Sequence, residues 1–402
     1  MNPELKLFKT QLEDELVNIL RYWKENTVDE KFGGFLGKID HYNRVIREGS
    51  KGVVLNARIL WTFSIAYNFT HDRQYLELAE RAYHYLVDRF WDKENGGLFW
   101  ELDYRGNVLN SRKQIYAQGF GIYGFSEFYK ASGNKDSLWY AIQLFELIEM
   151  HAFDPLNGGY IEVRGGKWET LEDMRLSPKD ANEPKSMNTH LHLLEPYTNL
   201  YRYWKDERLR KQTIGLVITF LEKIIDPSTC HFRLFFGEDW SVRSSITSYG
   251  HDIEGSWLMY EAAKVLDDHI LLEKVKETTL RMVDVTMAEG MDTDGSVFNE
   301  KDNISEHVDR DRNWWSQAEA MVGLMNAYEL SENDKYLVSL VKIWKFISEK
   351  LIDRKNGEWF WRVDSKGIPF DTEDKAGFWK CPYHSSRALI EVLTRIARNN
   401  LV

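Results

Sequence analysis

The chain has 402 residues, 43% hydrophobic and 14% aromatic, enough for a large core with aromatic faces to spare for flat, partly apolar ligands such as sugars. A formal net charge of −11 leaves no basic face for a phosphate backbone and excludes a nucleic-acid partner. Cys230 and Cys381 are the only cysteines and lie outside any zinc-type spacing, which excludes a cysteine-based zinc site and points to a reducing compartment.

The chain opens on "MNPELKLFKTQLEDELVNIL", a charged amphipathic helix without the apolar run of a signal peptide. No later stretch approaches the ~18 apolar residues of a membrane span, so a cytoplasmic protein with no membrane association is expected. A turn followed by an aromatic or apolar residue then recurs as "FGGFLG", "NGGLFWELDYRGNVL", "NGGYIEVRGGKW", "TCHFRLFFGEDW", "TDGSVFNE" and "NGEWFWRVDSKG". Anchored at Phe35, Leu98, Tyr160, Phe232, Val297 and Trp359, these turns are 63, 62, 72, 65 and 62 residues apart. Each opens a short alternating stretch that reads as a β-hairpin or irregular loop.

Around each turn lie two segments of ~20 residues with helical apolar spacing. One is amphipathic, as in "DRQYLELAERAYHYLVDRFW" and "NDKYLVSLVKIWKFISEKLI". The other is apolar nearly all round, as in "VLNARILWTFSIAYNF" and "QGFGIYGFSEFY", the pattern of a helix surrounded by protein. Six outer and six inner helices in alternation predict an all-α fold, an (α/α)6 barrel with short β-hairpins or loops at one mouth, spanning residues 1–402 as a single catalytic domain. An open solenoid would need polar-faced end repeats, and neither terminal inner helix shows one. The longest interval carries an insertion, "TLEDMRLSPKDANEPKSM", for which a lid over the mouth and an inert surface loop are equally in keeping.

Because the hairpins lead into the inner helices, the first turns of those helices should gather at one end of the axis. Polar and aromatic residues concentrate there: Asn56 and Arg58, Tyr116 and Gln118, Asn188, His190 and His192, His251 and Glu254, Trp314, Trp315 and Gln317, and Trp379, Tyr383 and His384. A lone histidine is more often a satisfied core residue, but three inner helices opening with one favour a functional cluster. His190 and His192 are about 200° apart on a helix and cannot ligate one ion, so no metal is expected. Asn188 lies one turn from His192 and suits a sugar binder, which selects His192 over His190.

Imidazoles without a metal motif, nucleotide loop, activated Ser or Cys, or dinucleotide fingerprint restrict the chemistry to proton transfer. Glycoside hydrolysis needs two carboxylates flanking the bond. Asp252 points off the His251/Glu254 face, no other inner helix opens with an obvious acid, and Asp180 in the insertion is the one further acid considered. Hydrolysis is therefore the second reading, and a sugar receptor without catalysis the third.

The stretches "LNARILWTFS", "RKQIYAQGFGIYGFSE", "NTHLHLLEPY", "GHDIEGSWL" and "WKCPYHSSRALIE" together resemble the cellobiose 2-epimerases of the N-acylglucosamine 2-epimerase superfamily, over essentially the whole chain. The resemblance implies an epimerase without cofactor, acting at C2 of the reducing-end glucose of cellobiose or a related β-1,4 disaccharide such as lactose or mannobiose. It further implies that His251 and His384 are the catalytic pair, that His192 assists, and that Arg58, Tyr116, Asn188, Glu254, Trp314 and Trp379 line the sugar site; Asp180 joins them as a candidate. "GHDIE" departs from the "GHAxE"-like form of the N-acylglucosamine epimerases, which disfavours N-acetylglucosamine but leaves mannose isomerisation open. The chain is expected to work as a monomer on a small-molecule disaccharide.

Overall fold

A computed structural model of the protein describes residues 3–401. Its outer helices are α1 (Pro3–Asn26), α3 (Arg73–Tyr85), α5 (Lys135–His151), α7 (Glu207–Thr219), α9 (His269–Glu289) and α11 (Asp334–Phe346). Its inner helices are α2 (Val53–Thr70), α4 (Ile115–Ser132), α6 (Met187–Tyr203), α8 (Tyr249–Leu266), α10 (Trp314–Ser331) and α12 (Tyr383–Arg398). Helix α4 buries every residue from Ile115 to Phe128, whereas α3 buries only Tyr75, Ala79, Ala82, Tyr83 and Tyr85, one stripe of an amphipathic helix. The expected ~20-residue outer helices are shorter in three repeats. There a 13-residue α-helix gives way to a five-residue π-turn, at Leu86–Phe90, Phe220–Ile224 and Ile347–Leu351. No described helix is long and apolar enough to cross a membrane.

Each inner helix packs on the next, and α12 packs on α2, which closes the ring and rules out the open solenoid. The mouth closes as well. The segment entering each inner helix pairs antiparallel with the hairpin of the next repeat: Lys51–Gly52 with Glu101–Leu102, Lys113–Gln114 with Val163–Arg164, Lys185–Ser186 with Phe235–Phe236, Ile246–Ser248 with Glu300–Asp302, and Arg312–Asn313 with Arg362–Val363. A bridge between Ile39 and Ala376 joins the last repeat to the first. The six sequence anchors occupy equivalent places, each bridging back to a residue one or two positions beyond the preceding outer helix or its π-turn: Val28, Trp91, Phe153, Ile225, Met291 and Ile352.

A buried ion pair staples this collar in five repeats. Asp29–Lys51, Asp92–Lys113, Asp154–Lys185, Asp292–Arg312 and Asp353–Lys375 meet at 2.7–2.9 Å, and every cation in the set is buried. The carboxylate also caps the turn, as Asp92 Oδ1 accepts the backbone N–H groups of Glu94 and Asn95. The fourth repeat differs: Asp226 pairs with the part-exposed Arg233 at 3.0 Å.

Removing one partner of a buried pair strands the other charge, so Lys113→Met should cost about 3 kcal/mol. Arg233→Met, at a solvated pair, should cost less than about 1 kcal/mol. Denaturant midpoints of the two variants check the contrast. Burial pushes Asp29, Asp92, Asp154 and Asp353 up, but the lysine and backbone donors prevail, holding Asp29, Asp92 and Asp353 below the ordinary range and Asp154 at about 2. A depressed carboxylate stabilises the fold above its ordinary value of about 3.9 and ceases to do so as pH falls through the folded value. The melting temperature should therefore drop between about pH 4 and pH 2.

Candidate active site

Two positions on the inner helices explain the division between scaffold and site. The fourth residue of α4, α6, α8 and α10 turns back to the hairpin and accepts the backbone N–H of the anchor: Gln118 Oε1 from Leu98, His190 Nε2 from Tyr160, Asp252 Oδ1 from Phe232, and Gln317 Oε1 from Val297. His190 is thus one of four interchangeable acceptors. Asn56, at the same position of α2, instead donates to the carbonyl of Gly52. Asn56, Gln118 and Gln317 sit at the mouth but bond backbone through their amides, with only Asn56 Oδ1 of the three left without a partner.

Two residues further on, the sixth position points to the axis and supplies Arg58, Phe120, His192, Glu254 and Glu319. Arg58 lies 4.1 Å over the Phe120 ring, and Phe120 is 5.0 Å from the His192 imidazole. Close helix approach permits this: a Cβ on Gly119 would come within 2.4 Å of the His192 carbonyl oxygen.

A cavity of about 420 Å³ opens here. Its wall contains all ten sequence candidates: Arg58, Tyr116, Asp180, Asn188, His192, His251, Glu254, Trp314, Trp379 and His384. Leu176, Ser177, Pro178 and Lys179 bring the insertion to the rim beside Asp180, and Trp315 and Trp361 complete the wall. Asn188 Oδ1, Glu254 Oε2 and Trp314 Nε1 are buried polar atoms without a protein partner. Such atoms at a pocket wall suit a ligand rich in hydroxyls.

The three imidazoles are each anchored through Nδ1, leaving Nε2 for the pocket. His192 Nδ1 meets Glu195 Oε2 at 3.1 Å, His384 Nδ1 meets Glu319 Oε1 at 2.6 Å, and His251 Nδ1 meets Ser248 Oγ at 2.7 Å. The carboxylates require Nδ1–H on His192 and His384, so both present a lone pair. The Ser248 hydroxyl donates or accepts, so His251 can present either a lone pair or an N–H. Glu254, which shares a helix face with His251, makes no hydrogen bond to that imidazole; Ser248 does.

Burial holds all three imidazoles neutral: His251 is pushed down to about 3 by burial and by His192, and His192 and His384 are lowered by burial and by Arg58 and Arg387. The values fall below the ordinary imidazole range because the rings are buried and, for His192 and His384, because two guanidinium groups lie nearby.

Below the pocket lies a group that the sequence reading missed. Arg387, 1% exposed, donates from Nη2 to Glu254 Oε1 at 2.7 Å and to Glu319 Oε1 at 2.6 Å, and from Nη1 to Glu195 Oε1 and the Tyr383 hydroxyl. Acids are therefore not scarce at the axis, but Glu195 and Glu319 are bound to a cation and to histidines. Glu254, Glu319 and His384 offer ligand atoms within 4.8 Å of one another, the spacing of a cation site, but Arg387 already donates to both carboxylates there.

The chain matches the N-acylglucosamine 2-epimerase family over residues 34–388. It belongs to that family. It is 47% identical over 96% of its length to a cellobiose 2-epimerase of Bacteroides fragilis, covering 99% of that protein. Identity to the cellobiose 2-epimerase of Dictyoglomus turgidum is 38% over 98% of the chain, covering 100% of that protein. The solved cellobiose 2-epimerase from Bacillus thermoamylovorans superposes with a TM-score of 0.92 at 38% identity, over 97% of this chain and 100% of that one. A D-mannose isomerase structure shares the fold at 20% identity and a TM-score of 0.83, over 96% of this chain and 97% of that one.

Two histidines one helix apart should separate scaffold from chemistry. His190→Ala leaves the buried Tyr160 N–H unpaired and should lower stability by about 1–3 kcal/mol with near-normal turnover per folded molecule. His251→Asn should keep the melting temperature and lower kcat by at least ~10²-fold. Calorimetry and kcat on the same preparations check both.

Proposed function

We propose that this protein is a cellobiose 2-epimerase, inverting C2 of the reducing-end glucose of cellobiose or a related β-1,4 disaccharide without metal or nucleotide. The observation that carries the reading is the set of neutral imidazoles, His192, His251 and His384, converging on one pocket with Nδ1 fixed from behind. Ring opening needs an acid/base at the ring oxygen and O1. Removal of the C2 proton, made acidic by the C1 carbonyl, then leaves a cis-enediolate. His251 and His384 are the acid/base candidates; their rings lie 4.6 and 5.9 Å from Trp315. Return of the proton to the opposite face follows either from the second base or from rotation about C2–C3.

Arg58 and His192 supply a cation and an imidazole for the enediolate oxygens. Arg58 Nη2 donates to the Tyr116 hydroxyl at 2.7 Å, and burial keeps that phenol protonated as a donor. Trp314 and Trp379 offer faces for two rings, and Asp180 at the rim offers an acceptor for the second sugar. The rim from Leu176 to Asp180 favours a disaccharide over a monosaccharide, because it extends the pocket beyond the imidazoles. Hydrolysis is disfavoured because Arg387 binds all three axial glutamates.

Cellobiose incubated in D2O should give glucosyl-mannose with deuterium at C2; free glucose would identify a glycosidase. Parallel incubations with lactose, mannobiose, mannose and N-acetylglucosamine rank the substrates. Because the working bases are neutral well below the ordinary imidazole value of about 6.5, kcat/KM should stay level as pH falls through 6.5 and decline only at lower pH. A pH profile in cellobiose checks the position of that acid limb.

A further inference from the structure

We infer that Glu254 works as a neutral carboxylic acid, donating a hydrogen bond from Oε2 to the sugar oxygen on which negative charge develops. The inference rests on the epimerase reading, but its primary test does not. One guanidinium serves three buried glutamates from three helices: Glu195 on α6, Glu254 on α8 and Glu319 on α10. Full ionisation would leave two uncompensated negative charges at a buried point, which the low dielectric penalises heavily. The imidazoles facing them, His192, His251 and His384, are neutral, and the Arg58 guanidinium is turned toward Tyr116 and Cys381.

Hydrogen-bond donors decide where a proton resides. Glu195 accepts from Arg387, Tyr383 and His192, so both its oxygens are satisfied as a carboxylate. Glu319 accepts from Arg387, His384 and the Trp257 indole, again through both oxygens. Glu254 accepts from Arg387 alone, at Oε1, and its Oε2 is buried in the pocket wall with no partner. Donors stabilise the ionised form, so the least solvated acid of the three holds the proton.

The local electrostatics agree: burial, then the Glu319 charge, pushes Glu254 well above the carboxylate range, while Arg387 and the His192 and Tyr383 donors overcome burial and hold Glu195 at about 2. Burial raises Glu319 too, but its three donors assign it the charge. A neutral acid needs no proton transfer to act. The hydrogen bond from its O–H strengthens as the sugar oxygen becomes an enediolate oxygen, and the proton stays on Glu254.

Infrared difference spectroscopy tests this directly. Wild type minus Glu254→Gln at neutral pH should show the carbonyl stretch of a protonated carboxylic acid, and cellobiose should shift that band in wild type. Absence of a neutral-acid band from wild type, or its loss in Glu319→Gln but not in Glu254→Gln, overturns the assignment. Because the band is read without turnover, its presence with no epimerisation in D2O would sink the epimerase reading and leave the protonation intact. Kinetics supply the second arm: Gln keeps a donor at this place and Leu does not, so kcat/KM of Glu254→Gln should exceed that of Glu254→Leu by at least ~10-fold. Equal loss in the two variants, at equal folded fraction, would show that the charge and not the donor was needed.

Discussion

The site depends on the Arg387 guanidinium. Four inner helices meet at it: α12 supplies the cation, and α6, α8 and α10 each supply a carboxylate. A cation here is tolerable only because the acids surround it, and the acids are tolerable only because it is there. Two of those acids then grip His192 and His384 from behind, so ring closure and imidazole orientation are one interaction. The protein spends polarity at a deeply buried point and obtains directional control of two nitrogens at the pocket floor.

Around that centre the collar repeats one solution with small variations. An aspartate caps a turn, a lysine or arginine entering the inner helix neutralises it, and the fourth helical residue holds the anchor's N–H. Gln118, His190, Asp252 and Gln317 perform the same task with different chemistry, because the requirement is only an acceptor at the right reach. Asp252 is itself held by His231 at 2.7 Å. Backbone obligations are thus met at one helical position, which frees positions before and after it for substrate.

This division explains what was legible in the sequence. Six turns at near-constant spacing expose the barrel, because the position two residues before each anchor takes a left-handed backbone, filled by glycine in five repeats and by Cys230 in the fourth. The mouth was legible because polar residues at the start of apolar helices stand out against their surroundings. Choosing His192 over His190 needed only the i,i+4 relation to Asn188. Glu195, Glu319 and Arg387 were not legible. Each sits inside a helix among apolar residues, and only the ring's closure brings Arg387 to Glu195, 192 positions earlier in the chain. The available signal was three acids and one arginine on the buried inner helices, read together and not one by one. The role of Ser248 was hidden for a different reason: it precedes α8, and sequence spacing favoured Glu254.

The rim formed by Leu176 to Asp180 belongs to no helix and carries none of the collar's ion pairs. The outer half of the pocket is therefore mechanically separable from the inner half, where the imidazoles are locked to the barrel. On the proposed reading, recognition of a second sugar can diversify by exchange of one connecting segment while the imidazoles stay fixed to the barrel. A barrel of this kind behaves as a fixed engine with a replaceable collet, and specificity in it is free to drift faster than chemistry.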